Sequence, residues 1–360
     1  MYPVIRKLLF HLDPESAHEW SIRGLRTAQR IPGILQVLEK NMSIRDQRLA
    51  TRCGQLHFPN PVGMAAGYDK NATVYPALAA LGFGFVEVGT LTPKPQAGNS
   101  QPRLYRLVED EAVINRMGFN NVGIVRAATH FSKLSRPSIP IGINLGKNKK
   151  TPQKDAAGDY RTGLRALYRY GDYFVINISS PNTQGLRDLQ EAESLRFLLT
   201  DLMEERQELR DETGEIRPLF LKLAPDLSRE GMKEAIQIAL DLKVDGFIAV
   251  NTTLSRNGLK SPNRNEAGGL SGRPLNQMAT DWIRYIYRIS EGKVPIIGVG
   301  GITSGKDAYD KIRAGASLIQ VYTGMIYRGP AIARKINQEL IDLMNRDGLS
   351  SIGDVVGIDA

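Results

Sequence analysis

Cysteine is nearly absent. Cys53 is the one thiol in 360 residues, which excludes an intramolecular disulfide and any cysteine-rich metal site and suits a reducing compartment. Histidine is scarce too. His11, His18, His57 and His130 include no pair at helical metal-ligand spacing, so a zinc or iron enzyme is not expected. No apolar run reaches 18 residues, and no signal-peptide pattern with a cleavage site opens the chain. The expectation is a protein that neither spans a membrane nor leaves by the usual export route. Acidic residues are in deficit: 38 Asp+Glu stand against 47 Lys+Arg, for a net charge of +9. A pI near 9.5 favours anionic partners such as acidic lipid, nucleic acid or small anions. The basic residues are scattered, however, and a generally basic surface accounts for them equally well.

What is present reads as a large α/β domain with an appendage. The hydrophobic fraction is 42% and the mean hydropathy −0.26, a soluble globular balance. The appendage comes first. Val4, Ile5, Leu8, Leu9 and Leu12 recur at helical spacing, with Arg6 and Lys7 between them. Asp13-Pro14-Glu15 then reads as a helix start: cap, first turn, and an acid at the positive dipole end. His18, Ile22 and Leu25 share one face of that helix, and Ile31-Pro32-Gly33 breaks it before a further short apolar face. Short amphipathic helices with basic flanks can lie in a membrane interface or simply cover the main domain.

After Thr51 a rhythm sets in. Apolar runs at Val62–Ala65, Phe85–Val88, Ile141–Leu145, Tyr173–Ile178, Leu219–Leu223, Gly246–Val250, Pro295–Val299 and Leu318–Val321 alternate with helix-length segments. Eight such units argue for a (β/α)8 TIM barrel. Thr51–Phe58 reads as a hairpin on the barrel floor, and the long insertion Leu91–Asn121 as a hairpin over the rim. The domain reading is therefore 1–45 as an N-terminal helical segment, 46–345 as the barrel, and 346–360 as a tail.

Active sites of such barrels collect at the C-terminal strand ends. Here those ends carry Ala66, Gly67 and Lys70, then Thr90, Asn144, Asn177, Lys222, Asn251 and Thr252, and finally Gly300-Gly301 and Tyr322-Thr323-Gly324. Most telling is Ile176-Asn177-Ile178-Ser179-Ser180-Pro181-Asn182-Thr183, where a buried strand runs straight into uncharged polar groups. Read locally it is a capped strand-to-loop turn. Read at a barrel mouth, it can grip a planar, amide-like ring and offer a hydroxyl for proton transfer. Glycines after the seventh and eighth strands let backbone N–H groups close on a phosphate. Lys222, enclosed by its own strand, can balance negative charge on a reduced ring. Asn115-Arg116-Met117-Gly118-Phe119-Asn120-Asn121 ends the insertion and can add amides and an aromatic wall.

With these residues assembled, the chain resembles the dihydroorotate dehydrogenases, and within them the membrane-associated, quinone-using class. The motifs that carry the resemblance span residues 2 to about 335. They are Ala65-Ala66-Gly67-Tyr68-Asp69-Lys70, Asn115-Arg116-Met117-Gly118-Phe119-Asn120, Asn177-Ile178-Ser179-Ser180-Pro181-Asn182, Lys222-Leu223-Ala224-Pro225-Asp226, Asn251-Thr252-Thr253, Gly268-Gly269-Leu270-Ser271-Gly272-Arg273-Pro274 and Gly300-Gly301-Ile302. The amphipathic start is what sets the membrane class apart.

The resemblance implies FMN in the barrel mouth. Its phosphate would lie on Gly272, Gly301 and the backbone near Tyr322-Thr323, and its ring on Ala66, Gly67, Thr90, Asn144, Asn177, Lys222 and Val250. It implies dihydroorotate above the ring. Lys70 would meet its carboxylate, Asn115, Asn177, Asn182, Asn251 and Thr252 its amides, and Phe119 would wall it in, with Arg116, Met117 and Gly118 alongside. Ser180 occupies the base position, where the soluble class has Cys. Electrons would leave to a membrane quinone past His18, Arg106 and Tyr322, and the enzyme would sit peripherally on the cytoplasmic face of the inner membrane. Neither a nucleic-acid partner nor an obligate protein partner is implied. Other readings are a flavin barrel reducing uridine in RNA, a fumarate- or NAD-linked dehydrogenase, and a non-catalytic peripheral membrane protein.

Overall fold

The structure, a computed structural model, describes residues 2–360. Eight parallel strands close into a barrel. They are β1 (Val62–Met64), β2 (Phe85–Leu91), β3 (Ile141–Leu145), β4 (Tyr173–Asn177), β5 (Leu219–Leu223), β6 (Gly246–Ala249), β7 (Ile296–Val299) and β8 (Leu318–Val321). They fall within a residue or two of the apolar runs, apart from β2, which continues to Leu91. Nearly every strand residue is buried, as expected where helices cover the outside and side chains fill the inside.

The lumen is built in layers. At the bottom the rings of Phe58, Phe85, Tyr173 and Phe220 meet edge to face, with centroids 5.3, 6.4 and 5.4 Å apart in turn. Gly142 makes room for them: a Cβ there would stand 2.1 Å from the Tyr173 ring. The antiparallel pair Thr51–Cys53 and Leu56–Phe58 seals this floor. Burial beside the rings pushes the Cys53 thiol up to about 12, so it stays a protonated packing group. Strand alternation then puts polar side chains two residues higher, with Glu87 above Phe85, Lys222 above Phe220 and Gln320 above Leu318. The apolar floor and polar upper layer give the barrel one working end.

Over that end folds a three-stranded antiparallel sheet. Leu104–Leu107 and Ala112–Asn115 form the expected rim hairpin. A third strand, Gly269–Gly272, comes from the loop after β6 and pairs with Ala112–Asn115.

The N-terminal segment forms α1 (Tyr2–His11), α2 (Pro14–Ala28) and α3 (Ile34–Met42). Asp13 caps α2 by accepting from Ser16 N–H at 2.9 Å. None of the three helices has a buried apolar residue; Ile22 and Leu25 are half-buried against the barrel. Polar ties add to this packing. Tyr2 donates to the Ile326 carbonyl and Arg6 to that of Tyr327. Glu15 accepts from Arg103 in a buried pair at 2.7 Å. Val4, Leu8 and Leu12 stand 66, 67 and 41% exposed along one side of α1 and its end. No helix among the described residues is long and apolar enough to cross a membrane.

At the other terminus the helix Ile332–Asp347 is followed by a single 3-10 turn, Ile352–Val355. Residues 346–360 are packed on the barrel: Ile352 and Val355 are buried, and Asp359 pairs with Arg313 at 2.6 Å.

Candidate active site

One cavity occupies the barrel mouth, bounded by the strand ends and roofed by the rim sheet. From the end of β4, Asn177 donates to Thr90 Oγ1 and Asn144 Oδ1, both at 3.1 Å, while Thr90 donates to the same Asn144 oxygen at 2.5 Å. Asn144 itself is fully buried beneath the cavity rather than lining it. Ser179 donates to Asn177 Oδ1, and Asn251 donates to Ser179 Oγ, each at 2.9 Å. On the roof side Asn182 donates to Asn115 Oδ1 at 3.2 Å. These amides hold one another in fixed orientations before any ligand arrives, which is the preorganisation a binding site needs.

Ser180 lines the cavity and is 6% exposed. Its Oγ accepts from the Asn182 backbone N–H at 3.3 Å, a contact that favours negative charge on the oxygen. Arg187 braces the loop from beneath, donating to the carbonyls of Ser179 and Thr252 and pairing with Asp226.

Lys70 enters the cavity from the loop after β1. Enclosure holds its ammonium well below the usual lysine range, at about 8, while Glu15 works to keep the proton on. The side chain keeps partial exposure through the cavity, so an arriving anion restores the charged form. Burial, with help from Lys70, holds His18 far below its ordinary value, so its imidazole is neutral at pH 7. Its ring meets Tyr68 edge to face at 5.1 Å.

The opposite side of the cavity is backbone-rich. Gly272, Gly300, Gly301 and Gly324 line it with Thr323, whose hydroxyl meets that of Ser271 at 2.8 Å. At Gly301 the backbone is left-handed, and a Cβ would stand 2.5 Å from Asn276 Cα, so no side chain can intrude. Between the two ends lie Lys222, Val250 and Gln320. Lys222 pairs with Glu87 at 3.7 Å, too far for a hydrogen bond. Gln320 Oε1 and Asn120 Oδ1 are buried without a hydrogen-bond partner among the described residues. An ammonium with an ion-pair partner but no hydrogen bond, set in a wall of amides, suits a ligand with an electron-rich acceptor edge.

Of the residues singled out from sequence, Ala66, Gly67, Lys70, Thr90, Asn115, Met117, Gly118, Phe119, Asn177 and Ser180 line this cavity. Asn182, Lys222, Val250, Asn251, Thr252, Gly272, Gly301, Tyr322 and Thr323 join them there. Arg116 does not; its guanidinium is taken by Glu266, the Ala267 carbonyl and the Tyr105 hydroxyl. His18 and Arg106 lie outside it with the helical segment, Arg106 donating to the Phe10 and Leu12 carbonyls and covering the Phe10 ring at 4.7 Å. Sequence reasoning missed Gln320 and Glu87. The signal for both was a polar residue within an otherwise apolar run. Arg187 gave no such signal, because its role depends on two loops meeting.

A closed parallel barrel whose one polar mouth joins a glycine cradle, an amide-lined middle and an enclosed lysine defines an enzyme of the (β/α)8 class. The family model described as dihydroorotate dehydrogenase matches residues 48–344. A curated relative from Deinococcus radiodurans, named dihydroorotate dehydrogenase (quinone), is 48% identical over 99% of this chain and 100% of its own length. One of the same name from Christiangramia forsetii is 48% identical over 94% of this chain and 98% of its own. Among solved structures, the ligand-free enzyme of Eimeria tenella superposes with a TM-score of 0.88 at 42% identity, covering 96% of this chain and 99% of that one. The chain belongs to the dihydroorotate dehydrogenase family. It is an oxidoreductase, and both curated relatives above, matched nearly from end to end, are named for quinone.

Proposed function

We propose that the protein oxidises (S)-dihydroorotate to orotate in de novo pyrimidine (UMP) biosynthesis, with FMN as prosthetic group and a membrane quinone as electron acceptor. The observation that carries this reading is the continuity of one cavity, from the glycine cradle at Gly272 and Gly301 through Lys222 and Gln320 to Ser180 and Lys70. The cradle suits the FMN phosphate because it is lined by backbone and kept free of side chains at Gly301. The Lys222 ammonium, with Gln320 beside it in the wall, suits the heteroatom edge of its ring. Ala66, Gly67, Thr90, Asn177 and Val250 form the surrounding wall, with Asn144 supporting it from below. When bound, FMN supplies the two-electron acceptor that the amino acids lack.

The chain's own residues do the rest. Lys70 meets the substrate carboxylate with charge. Asn115, Asn177, Asn182, Asn251 and Thr252 pair with its ring amides in orientations already set. Phe119 and the Met117-Gly118 backbone shut out water. Ser180 Oγ takes the proton from the carbon beside the carbonyl as its own hydroxyl proton passes to solvent in the cavity. A hydroxyl is a weak base at its ordinary pKa, and the Asn182 N–H directed at Ser180 Oγ favours the deprotonated form.

We assign the quinone half-reaction to the side of the mouth where α1 is tied to the helix after β8 and α2 to the rim insertion. Tyr322 faces the cavity there, with His18 and Arg106 on the helix side. A neutral His18 beside Tyr68 suits an uncharged quinone. The exposed apolar side of α1 and the net charge of +9 support peripheral contact with an anionic membrane surface; the surface we propose is the cytoplasmic face of the inner membrane.

The test is an anaerobic absorbance titration of the purified protein with dihydroorotate, then with a ubiquinone analogue in detergent. Flavin colour should bleach with substrate and return with quinone. Bleaching without recovery by quinone would remove the acceptor from this reading, and a flavin-loaded protein that does not bleach would remove the substrate.

A further inference from the structure

Glu87 is a carboxylate with no exposed surface, held in the barrel lumen directly above the aromatic floor. Neither the sequence reading nor the reaction just described uses it. Its Oε1 accepts from Asn144 Nδ2 at 2.8 Å and its Oε2 from Gln320 Nε2 at 2.6 Å. Its cationic partner, Lys222, is 3.7 Å away. Two neutral donors and an ammonium beyond hydrogen-bond reach are modest compensation for taking a charge out of water. As a fastener Glu87 is a poor choice, so its use lies elsewhere.

A carboxylate can only accept hydrogen bonds. Asn144 must therefore turn its NH2 to Glu87, which leaves its oxygen for Thr90 and Asn177. Asn177 must then turn its NH2 to Asn144, which leaves its oxygen for Ser179. Ser179, donating there, is left to accept from Asn251. Amide groups have no preferred sense of their own; the network sets it. Here a single buried anion sets the donor–acceptor sense of a row that runs from the barrel centre to the mouth. The same anion is the counter-charge to Lys222, the one cation in the middle of the cavity wall.

We propose that Glu87 is a positioning residue that orders this amide row and offsets the Lys222 charge, and thereby sets the reduction potential of the bound flavin. The inference rests on the FMN reading above. It concerns how strongly the site favours reduced flavin, not whether flavin binds.

Glu87→Gln keeps the shape and removes the charge. Gln320 Oε1 has no partner and can turn to accept from the new amide, so the hydrogen bonds at the centre are retained. The measurement is the flavin midpoint potential by dye equilibration, with FMN affinity by fluorescence. With Lys222 no longer offset, electrostatics favour the reduced, more negative flavin. The expected change is at least tenfold in the oxidised-to-reduced equilibrium, about 30 mV more positive for a two-electron couple. Glu87→Asp keeps the charge and should stay within about threefold of the parent by the same relation. A flavin-loaded Glu87→Gln protein with an unchanged potential would overturn the proposal, as would an Asp variant shifted as far as the Gln variant. A parent protein that binds no flavin would overturn the FMN reading and this inference with it. Should Glu87→Gln fail to fold or to hold FMN, the double variant E87Q/K222M decides, because removing both charges leaves none buried alone. Its thermal unfolding midpoint should return towards that of the parent. A double variant as unstable as the single one would overturn the proposal.

Discussion

Ser180 is buried in the cavity wall, and its Oγ accepts the Asn182 backbone N–H. Ser180→Ala should slow flavin reduction by dihydroorotate at least about 10²-fold, the usual effect of losing a general base, with FMN still bound; anaerobic stopped-flow absorbance measures it. If Lys70 meets the substrate carboxylate as proposed, it gives binding a pH limit. Its ammonium is held at about 8 in the free site, so it is charged below that pH and neutral above it. The KM for dihydroorotate should therefore rise as pH passes through about 8, with kcat less affected. Lys70→Met should raise KM at neutral pH and abolish that rise; a pH series of steady-state rates checks both. Most of these side chains were legible as types at strand ends. Their partners were not. Glu87 and Gln320 are single polar letters in apolar runs, and only the closed barrel shows that they meet at 2.6 Å.

Among the elements, the join between α2 and the rim insertion rests on one buried pair. Arg103 donates to both Glu15 oxygens and to the carbonyls of Ala97 and Asn99. Glu15→Gln leaves that guanidinium without its counter-charge, at a cost of about 3 kcal/mol. The expected result is a lower thermal midpoint together with faster proteolysis near Gly33, followed by calorimetry and limited digestion. A normal midpoint would mean that the helical segment is held by other contacts. The eight barrel strands were readable because apolar runs of strand length alternate with helix-length segments. The third rim strand was not. Gly269-Leu270-Ser271-Gly272 has little strand propensity, and its partner, Ala112–Asn115, lies more than a hundred residues earlier. Pairings of that separation leave no mark on the local pattern.

Viewed whole, the molecule has a sealed end and a working end; α1 and α2 sit towards the working end, while α3 runs along the barrel's side beside the helix Tyr75–Ala80. Deleting residues 1–42 should abolish turnover with quinone and spare flavin reduction by dihydroorotate; comparing the two half-reactions tests it. The same deletion should release the protein from anionic vesicles in a sedimentation assay, and unchanged quinone kinetics would rule out the docking role. The overall architecture was legible because barrel strands and helices each leave a local pattern. The packing of residues 346–360 was not, since Ile352 and Val355 become apolar anchors only against a helix layer the sequence does not display. Tyr2 and Arg6 reach carbonyls of a neighbouring helix, and those bonds hold their geometry whatever lies outside. Val4, Leu8 and Leu12 face outward, and water and hydrocarbon reward their arrangement oppositely. An oil–water boundary would therefore stabilise α1 in its present seat more than bulk water does, with no change in how the helix is tied down.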